Sequence, residues 1–78
     1  MLSKKNQVVL EDLKSKLQEY KSDMISIESE SKEYLKLARS YPSMGLDVKA
    51  QHALTSKKAS KLLGKINALN TMIALQDS

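Results

Sequence analysis

Four lysines in the second half of the chain have the residue type and spacing to bind a charged ligand. Lys57, Lys58, Lys61 and Lys65 form a basic stretch. A lysine-rich helix can follow the phosphates of a nucleic acid through contacts that weaken as salt is added. Because no arginine and no aromatic residue is interleaved with the lysines, base recognition and base stacking have no obvious agent. The alternative is a helical face whose lysines are solvated or paired with acids.

The residue types that could support acid–base chemistry are sparse. His52 is the only histidine, and its nearest acid is Asp47, five residues earlier. We interpret His52 as lying at the edge of the core rather than as a pH sensor. The acids Glu28, Glu30 and Glu33 are likewise interpreted as solvated, or paired with a second helix, rather than as a catalytic cluster.

No motif of catalysis or cofactor binding is present. The chain has no cysteine, so it has neither a disulfide nor a thiolate metal site, and one histidine does not build a zinc site alone. Gly45 and Gly64 are too far apart to form a phosphate-binding loop. The sequence therefore predicts a protein that is not an enzyme and has no cofactor, metal or small-molecule substrate.

Composition predicts one elongated helical domain spanning residues 1–78. The 78 residues are 41% hydrophobic and 28% charged, with three tyrosines and no phenylalanine or tryptophan. A chain of this length buries a small core and is often marginally stable alone. The longest apolar run, Met72–Leu75, is too short to cross a bilayer. With no export signal visible, we expect a cytoplasmic protein without membrane contact.

One segment interrupts the helical pattern. Ser40–Leu46 holds the only proline and one of the two glycines, and both residues favour turns. We predict a first helix over about residues 5–40, a turn over 41–46 and a second helix over about 47–76. Asp47 is the predicted N-cap of the second helix.

Apolar residues repeat with the 3-4 spacing of a coiled-coil seam on both sides of this turn. In the first helix the positions are Leu10, Leu13, Leu17, Tyr20, Met24, Ile27, Ser31, Tyr34, Ala38 and Tyr41. In the second they are Val48, His52, Thr55, Ala59, Leu62, Ile66, Leu69, Ile73 and Gln76. The fold class predicted is all-α, an antiparallel two-helix hairpin.

The register follows from folding the chain back at residue 43, which places residue i opposite residue 86 − i. The layers are Leu13/Ile73, Leu17/Leu69, Tyr20/Ile66, Met24/Leu62, Ile27/Ala59, Ser31/Thr55, Tyr34/His52 and Ala38/Val48. The two hydroxyl residues of the seam therefore meet and could share a hydrogen bond. On the flank, the register pairs Asp23 with Lys65 and Glu30 with Lys58. An alternative is a break of the first helix near Ser29–Ser31, where serines could cap a third helix.

Apolar residues outside the seam predict a surface for helix packing. A partner would contact two clusters and a helical glycine: Leu35, Leu37, Leu46 and Leu54 near the turn, Met72 and Leu75 near the open end, and Gly64. Glycine inside a helix costs about 1 kcal/mol relative to alanine, which a closely packed neighbour would explain.

The predicted function is a small helical module for protein–protein interaction or assembly, of the subunit, adaptor or co-chaperone type. Its partner is another protein or a second copy, with a dimer or four-helix bundle as the expected assembly. In shape it resembles the small co-chaperones of bacterial secretion systems, a likeness that no diagnostic motif accompanies. Nucleic-acid binding by the lysine-rich second helix is the alternative.

Overall fold

The chain folds into two long helices joined by a tight turn. The computed structural model describes residues 4–77, and the side chains of residues 7–76. Helix α1 spans Lys4–Ser40, a single 3-10 turn spans Pro42–Met44, and helix α2 spans Gly45–Asp77. The rod measures 60 × 14 × 13 Å. The predicted antiparallel all-α hairpin is confirmed.

Helix α1 continues without interruption through the serine-rich stretch, so a third helix beginning near Ser29–Ser31 is excluded. The heptad phase runs unbroken through this stretch, and packing of the apolar face outweighs the weak preference of serine for caps. Arg39 in the last turn of α1 and Asp47 in the first turn of α2 complement the helix dipoles.

The turn is tighter than the sequence predicts. Tyr41, which precedes the proline, is extended at φ −132° and ψ 75°, and Pro42 opens the 3-10 turn, where its missing N–H is not needed. The backbone N–H of Tyr41 donates to the carbonyl of Leu37 at 2.8 Å, and that of Met44 donates to Tyr41 at 2.9 Å. The proline, rather than a glycine with positive φ, reverses the chain.

Two predictions about the start of α2 are wrong. Gly45 is already helical, at φ −54° and ψ −41°, so the helix begins two residues before the predicted start. Asp47 consequently lies inside the first turn and is not the N-cap. The 3-10 turn leads directly into α2, which leaves no separate capping position at residue 47.

The predicted seam forms the core. Every predicted seam residue except Tyr41 is buried or half-buried, and the central cluster consists of Leu17, Leu62 and Ile66. Five partly buried seam residues pack against this cluster: Tyr20, Met24, Ile27, Leu69 and Ile73. Tyr41 is 55% exposed, because α1 ends before it and the extended backbone takes its side chain off the helical repeat.

Two hydroxyl groups of the seam, those of Thr55 and Tyr34, form hydrogen bonds within their own helices. Thr55 is the most buried residue described, at 2% exposure, and its Oγ1 donates to the carbonyl of Gln51 at 2.8 Å rather than to Ser31. The hydroxyl of Tyr34 donates to Glu30 at 2.8 Å rather than to His52. A hydrogen bond to a residue four positions away is in place once the helix has formed. A hydrogen bond between the helices would also require two side chains, one from each helix, to be held in a single conformation.

Candidate interaction surface

The seam uses one stripe of each helix and leaves two long sides of the rod facing solvent. On one side, a groove between the helices is lined by Asp23, Ser26, Lys58, Lys61 and Lys65, with Ile27 and Leu62 at its floor. We call this the basic side. On the other side, a groove is lined by Glu28, Ser31, Lys32, Thr55 and Ser56, together with Ile27 and Ala59.

The lysines of the basic side lack the carboxylate partners that the sequence predicts. No ion pair within 4.0 Å joins Asp23 to Lys65 or Glu30 to Lys58 in the part of the chain with described side chains. Lys65 instead places its Nζ 5.6 Å from the centroid of the Tyr20 ring, a cation–π distance. Exposed ion pairs contribute about 0–1 kcal/mol, too little to fix long side chains against solvation.

All four lysines of the basic stretch are exposed. Lys57, Lys58 and Lys61 also line a shallow groove with Glu30 and Leu54, so they lie on the same side of the rod as Lys65. The structure therefore brings the predicted anion-binding lysines together and leaves them without carboxylate partners.

Glu30 contacts a tyrosine in its own helix. Its Oε2 accepts a hydrogen bond from the hydroxyl of Tyr34 at 2.8 Å. This hydrogen bond, with smaller effects of desolvation and of the negative charge, raises the pKa of Tyr34 above 10.0. Both side chains are half-buried.

We expect Glu30→Ala to lower the pKa of Tyr34, because the variant removes both the acceptor and the charge. A raised pKa in the folded state adds stability below the ordinary tyrosine pKa, and this stability is lost as the pH rises through the folded-state pKa. Ultraviolet absorbance titration in a Tyr20→Phe, Tyr41→Phe background measures the shift. Glu33→Ala, which removes an adjacent exposed acid, is the control; equal pKa values in the two variants would contradict the assignment.

The side of α2 opposite the lysines carries no charged residue between Ala53 and Ala74. Its exposed residues repeat with 3-4 spacing, parallel to the seam: Ala53, Ser56, Ser60, Leu63, Asn67, Asn70 and Ala74. We call this row of α2 the uncharged row; the α1 positions on the same side of the rod include the charged residues Lys21, Glu28 and Lys32. Within the uncharged row, Leu63 is 52% exposed. Ile25 of α1 is 64% exposed and lies one heptad before Lys32, which lines the groove on this same side.

Sequence reasoning missed Ile25 and Leu63 because it weighed the apolar clusters at the two ends of the rod and, between them, only Gly64. A second 3-4 repeat in α2 could have revealed Leu63. This repeat is recognised by its lack of charged residues and not by a high content of hydrophobic ones.

The predicted partner-binding residues are mostly exposed. Exposure is 48% for Leu35, 86% for Leu46, 51% for Leu54, 45% for Met72 and 61% for Leu75. Leu37, by contrast, is half-buried, since it flanks the seam beside the turn.

The turn-end leucines do not form one patch. Leu54 lies on the basic side, where it lines a groove with the lysines. Leu35 follows Glu28 by one heptad and therefore lies on the other side of the rod. A single partner helix lying along one side would contact only one of them.

Gly64 is exposed, and an added Cβ would meet nothing within 4 Å. The hairpin alone therefore does not require glycine at this position. We expect Gly64→Ala to raise the free energy of unfolding by about 1 kcal/mol, measured by urea denaturation of the dilute chain. Ala68→Gly, one turn later on an exposed position, should lower it by a similar amount. Destabilisation by Gly64→Ala would show that something packs closely against the glycine.

His52 is half-buried in the seam. The described residues contain no group of three histidine, cysteine or acidic side chains placed to hold a metal ion. Nor does either helix, over its described length, combine the length and hydropathy that crossing a bilayer requires.

Fold and surface together define a bi-helical hairpin domain whose described surface carries exposed aliphatic side chains beside charged ones. Residues 11–78 match the family described as VspR C-terminal bi-helical domain. The chain belongs to this family. No curated protein and no solved structure matches it significantly.

Proposed function

We propose that this domain is a non-enzymatic protein–protein interaction module that presents a preformed two-helix surface to a partner protein or to a second copy. The observation that carries the proposal is the imbalance between its core and its surface. Five hydrophobic residues are buried among the described side chains, whereas many large ones, Ile25, Leu54 and Leu63 among them, are about half exposed or more.

This imbalance arises because a two-helix rod has one packing seam as its whole core, so the other faces of both helices remain exposed. Small domains without disulfides or metals often gain the missing burial by association. The exposed aliphatic residues occur on both long sides, so a partner helix has an apolar anchor whichever side it uses. Membership of a family described as a domain fits a module that acts through its surface. Assembly subunit, adaptor and co-chaperone roles all belong to this proposal.

A double variant with one replacement on each side tests the proposal. Leu35→Asp with Leu54→Asp should abolish association with partner or copy while leaving helicity nearly unchanged, because both side chains are outside the seam. Ser22→Asp with Ser29→Asp, at exposed positions of α1, adds the same charge away from the aliphatic residues. Sedimentation and helicity by circular dichroism are the measurements. A complex unchanged by the leucine variants would overturn the proposal.

A second candidate function is binding of nucleic acid by the basic side. It is favoured by the absence of the predicted Asp23–Lys65 and Glu30–Lys58 ion pairs, which leaves the ammonium groups of these lysines without a direct carboxylate contact. Phosphate contacts would release counterions and make binding strongly dependent on salt.

Fluorescence anisotropy with labelled duplex DNA at two salt concentrations tests this candidate. Lys57→Glu with Lys61→Glu should weaken binding and reduce its salt dependence. Lys14→Glu with Lys21→Glu makes the same change of net charge at exposed positions of α1 and should have a smaller effect. Equal effects of the two pairs would indicate attraction by net charge alone and remove the candidate.

A further inference from the structure

The lysines of α2 lie on a helix that has no acid among them. Between Asp47 and Asp77, α2 contains five lysines and no acidic residue. Lys57 and Lys61 lie one turn apart on its exposed surface, and Lys58 lines the groove beside them. These three lysines form no ion pair with the described side chains. A ligand for this face of α2 must therefore supply negative charge along a line parallel to the helix.

Exposed aliphatic side chains lie at both ends of this basic stretch. Leu54 is 51% exposed and lines a groove with the lysines. Met72 is 45% exposed and lies two heptads after Lys58, hence on the same side. The two are 18 residues apart, about 27 Å along the helix. Gly64 lies between them, and because an added Cβ there would meet nothing within 4 Å, another backbone can approach α2 closely. We call this set the outer row of α2: Leu54, Lys57, Lys58, Lys61, Gly64 and Met72.

Across the groove, the same side of the rod is acidic on α1. Asp23 and Glu30 line grooves with the lysines. Among the described side chains, the heptad positions of Asp23 and Ser26 hold three further acids and one lysine: Asp12, Glu19, Glu33 and Lys16. A negatively charged ligand is therefore attracted by α2 and repelled by α1, which confines it to the outer row.

This confinement favours a single helix over nucleic acid. An α-helix with its side chains is about 10–12 Å across and can lie over α2 alone. A nucleic-acid duplex is much wider than one helix, so its phosphates would also pass over the acids of α1. The outer row has no arginine or aromatic residue to read or stack bases, whereas its aliphatic ends suit the apolar anchors of an amphipathic helix.

We infer that the outer row of α2 binds an acidic amphipathic helix of a partner protein. Its carboxylates lie on Lys57, Lys58 and Lys61, its apolar residues on Leu54 and Met72, and its backbone close to the glycine. The inference rests on the proposed interaction function and names the surface and the chemistry of the partner.

The probe for this inference is a labelled three-heptad peptide with glutamate at its e and g positions. Leucine at the first a and the last d position matches the spacing of Leu54 and Met72, and alanine fills the other a and d positions. In fluorescence anisotropy with the full chain, this peptide should bind at least tenfold more tightly than the same peptide with lysine in place of glutamate. Equal binding of the two peptides would overturn the inference.

A variant at the glycine separates close packing from general attraction. Gly64→Leu should weaken binding of the acidic peptide at least tenfold, because the added side chain holds the peptide backbone away. The hairpin itself should be no less stable, since leucine is the better helix former. Ser56→Leu, which changes a residue of the groove on the other side, should leave binding within twofold. Binding unaffected by Gly64→Leu would overturn the inference.

Charge reversal supplies the second arm. Lys57→Glu with Lys61→Glu should weaken binding of the acidic peptide at least tenfold. Lys14→Glu with Lys21→Glu, which makes the same change of net charge at exposed positions of α1, should have a smaller effect. Equal effects would overturn the inference, because net charge alone would then explain the binding.

Two further outcomes identify what would stand in its place. Duplex DNA that binds more tightly than the acidic peptide would overturn the inference in favour of nucleic-acid binding. A chain that associates with a partner protein or with itself, but does not bind the acidic peptide, would overturn the inference and leave the proposed interaction function standing.

Discussion

Leu62→Ala should lower the free energy of unfolding by about 2–5 kcal/mol. Leu62 is 8% exposed and lies in the central cluster with Leu17 and Ile66. Removing its side chain takes away buried apolar contacts and leaves a cavity that two rigid helices fill only in part. For a domain of this size, such a loss is comparable to its entire stability, so the variant should be largely unfolded at 37 °C.

Thermal denaturation followed by circular dichroism measures this effect, with Leu54→Ala as the control. Leu54 is 51% exposed and outside the seam, so its truncation should change the unfolding free energy by less than about 0.5 kcal/mol. If the two variants lost equal stability, burial in the seam would not be what holds the helices together.

Inserting one alanine after Ser29 should be nearly as disruptive as truncating the core. The insertion rotates the upstream part of α1 by about 100° relative to the rest. Leu17, Tyr20, Met24 and Ile27 would leave the seam together, and only the short segment near the turn would keep its register. We expect loss of most of the cooperative thermal transition, because the central cluster would have no α1 component.

The matched control inserts one alanine between Ser43 and Met44. Lengthening a turn by one residue costs little closure entropy, and the seam residues of each helix keep their spacing. This variant should retain most of the wild-type melting temperature. A turn insertion as damaging as the helix insertion would mean that the turn, rather than the seam, determines the fold.

The sequence was informative about the fold because one physical cause dominates it. Burial of a heptad seam specifies both helices and their register, and no other element competes with it. Features that do not depend on packing in the seam were predicted less well. Tyr41 and Asp47 lie where the helix ends depend on the backbone preferences of a proline, and single residue types do not determine a helix end to better than one or two positions.

The same distinction, between residues packed in the seam and residues outside it, explains which predictions about the surface were correct. The members of the predicted pairs Asp23–Lys65 and Glu30–Lys58 line the same grooves but form no ion pair, because exposed ion pairs are worth too little to hold flexible side chains. Leu35 and Leu54 are exposed as predicted, yet lie on different sides of the rod. Their assignment to sides requires the phase of each helix relative to the seam, and not only their positions along the chain.

The central claim is that residue i of α1 packs against residue 86 − i of α2 within one chain. Methyl NOE spectroscopy on labelled chain diluted into excess unlabelled chain tests it directly, because only contacts within one molecule then remain. The account predicts NOEs that join Leu17 to Leu69, Met24 to Leu62 and Ile27 to Ala59. NOEs joining Ile27 to Ile66 instead, one heptad out of register, would contradict it, as would cross-helix NOEs that disappear on dilution with unlabelled chain.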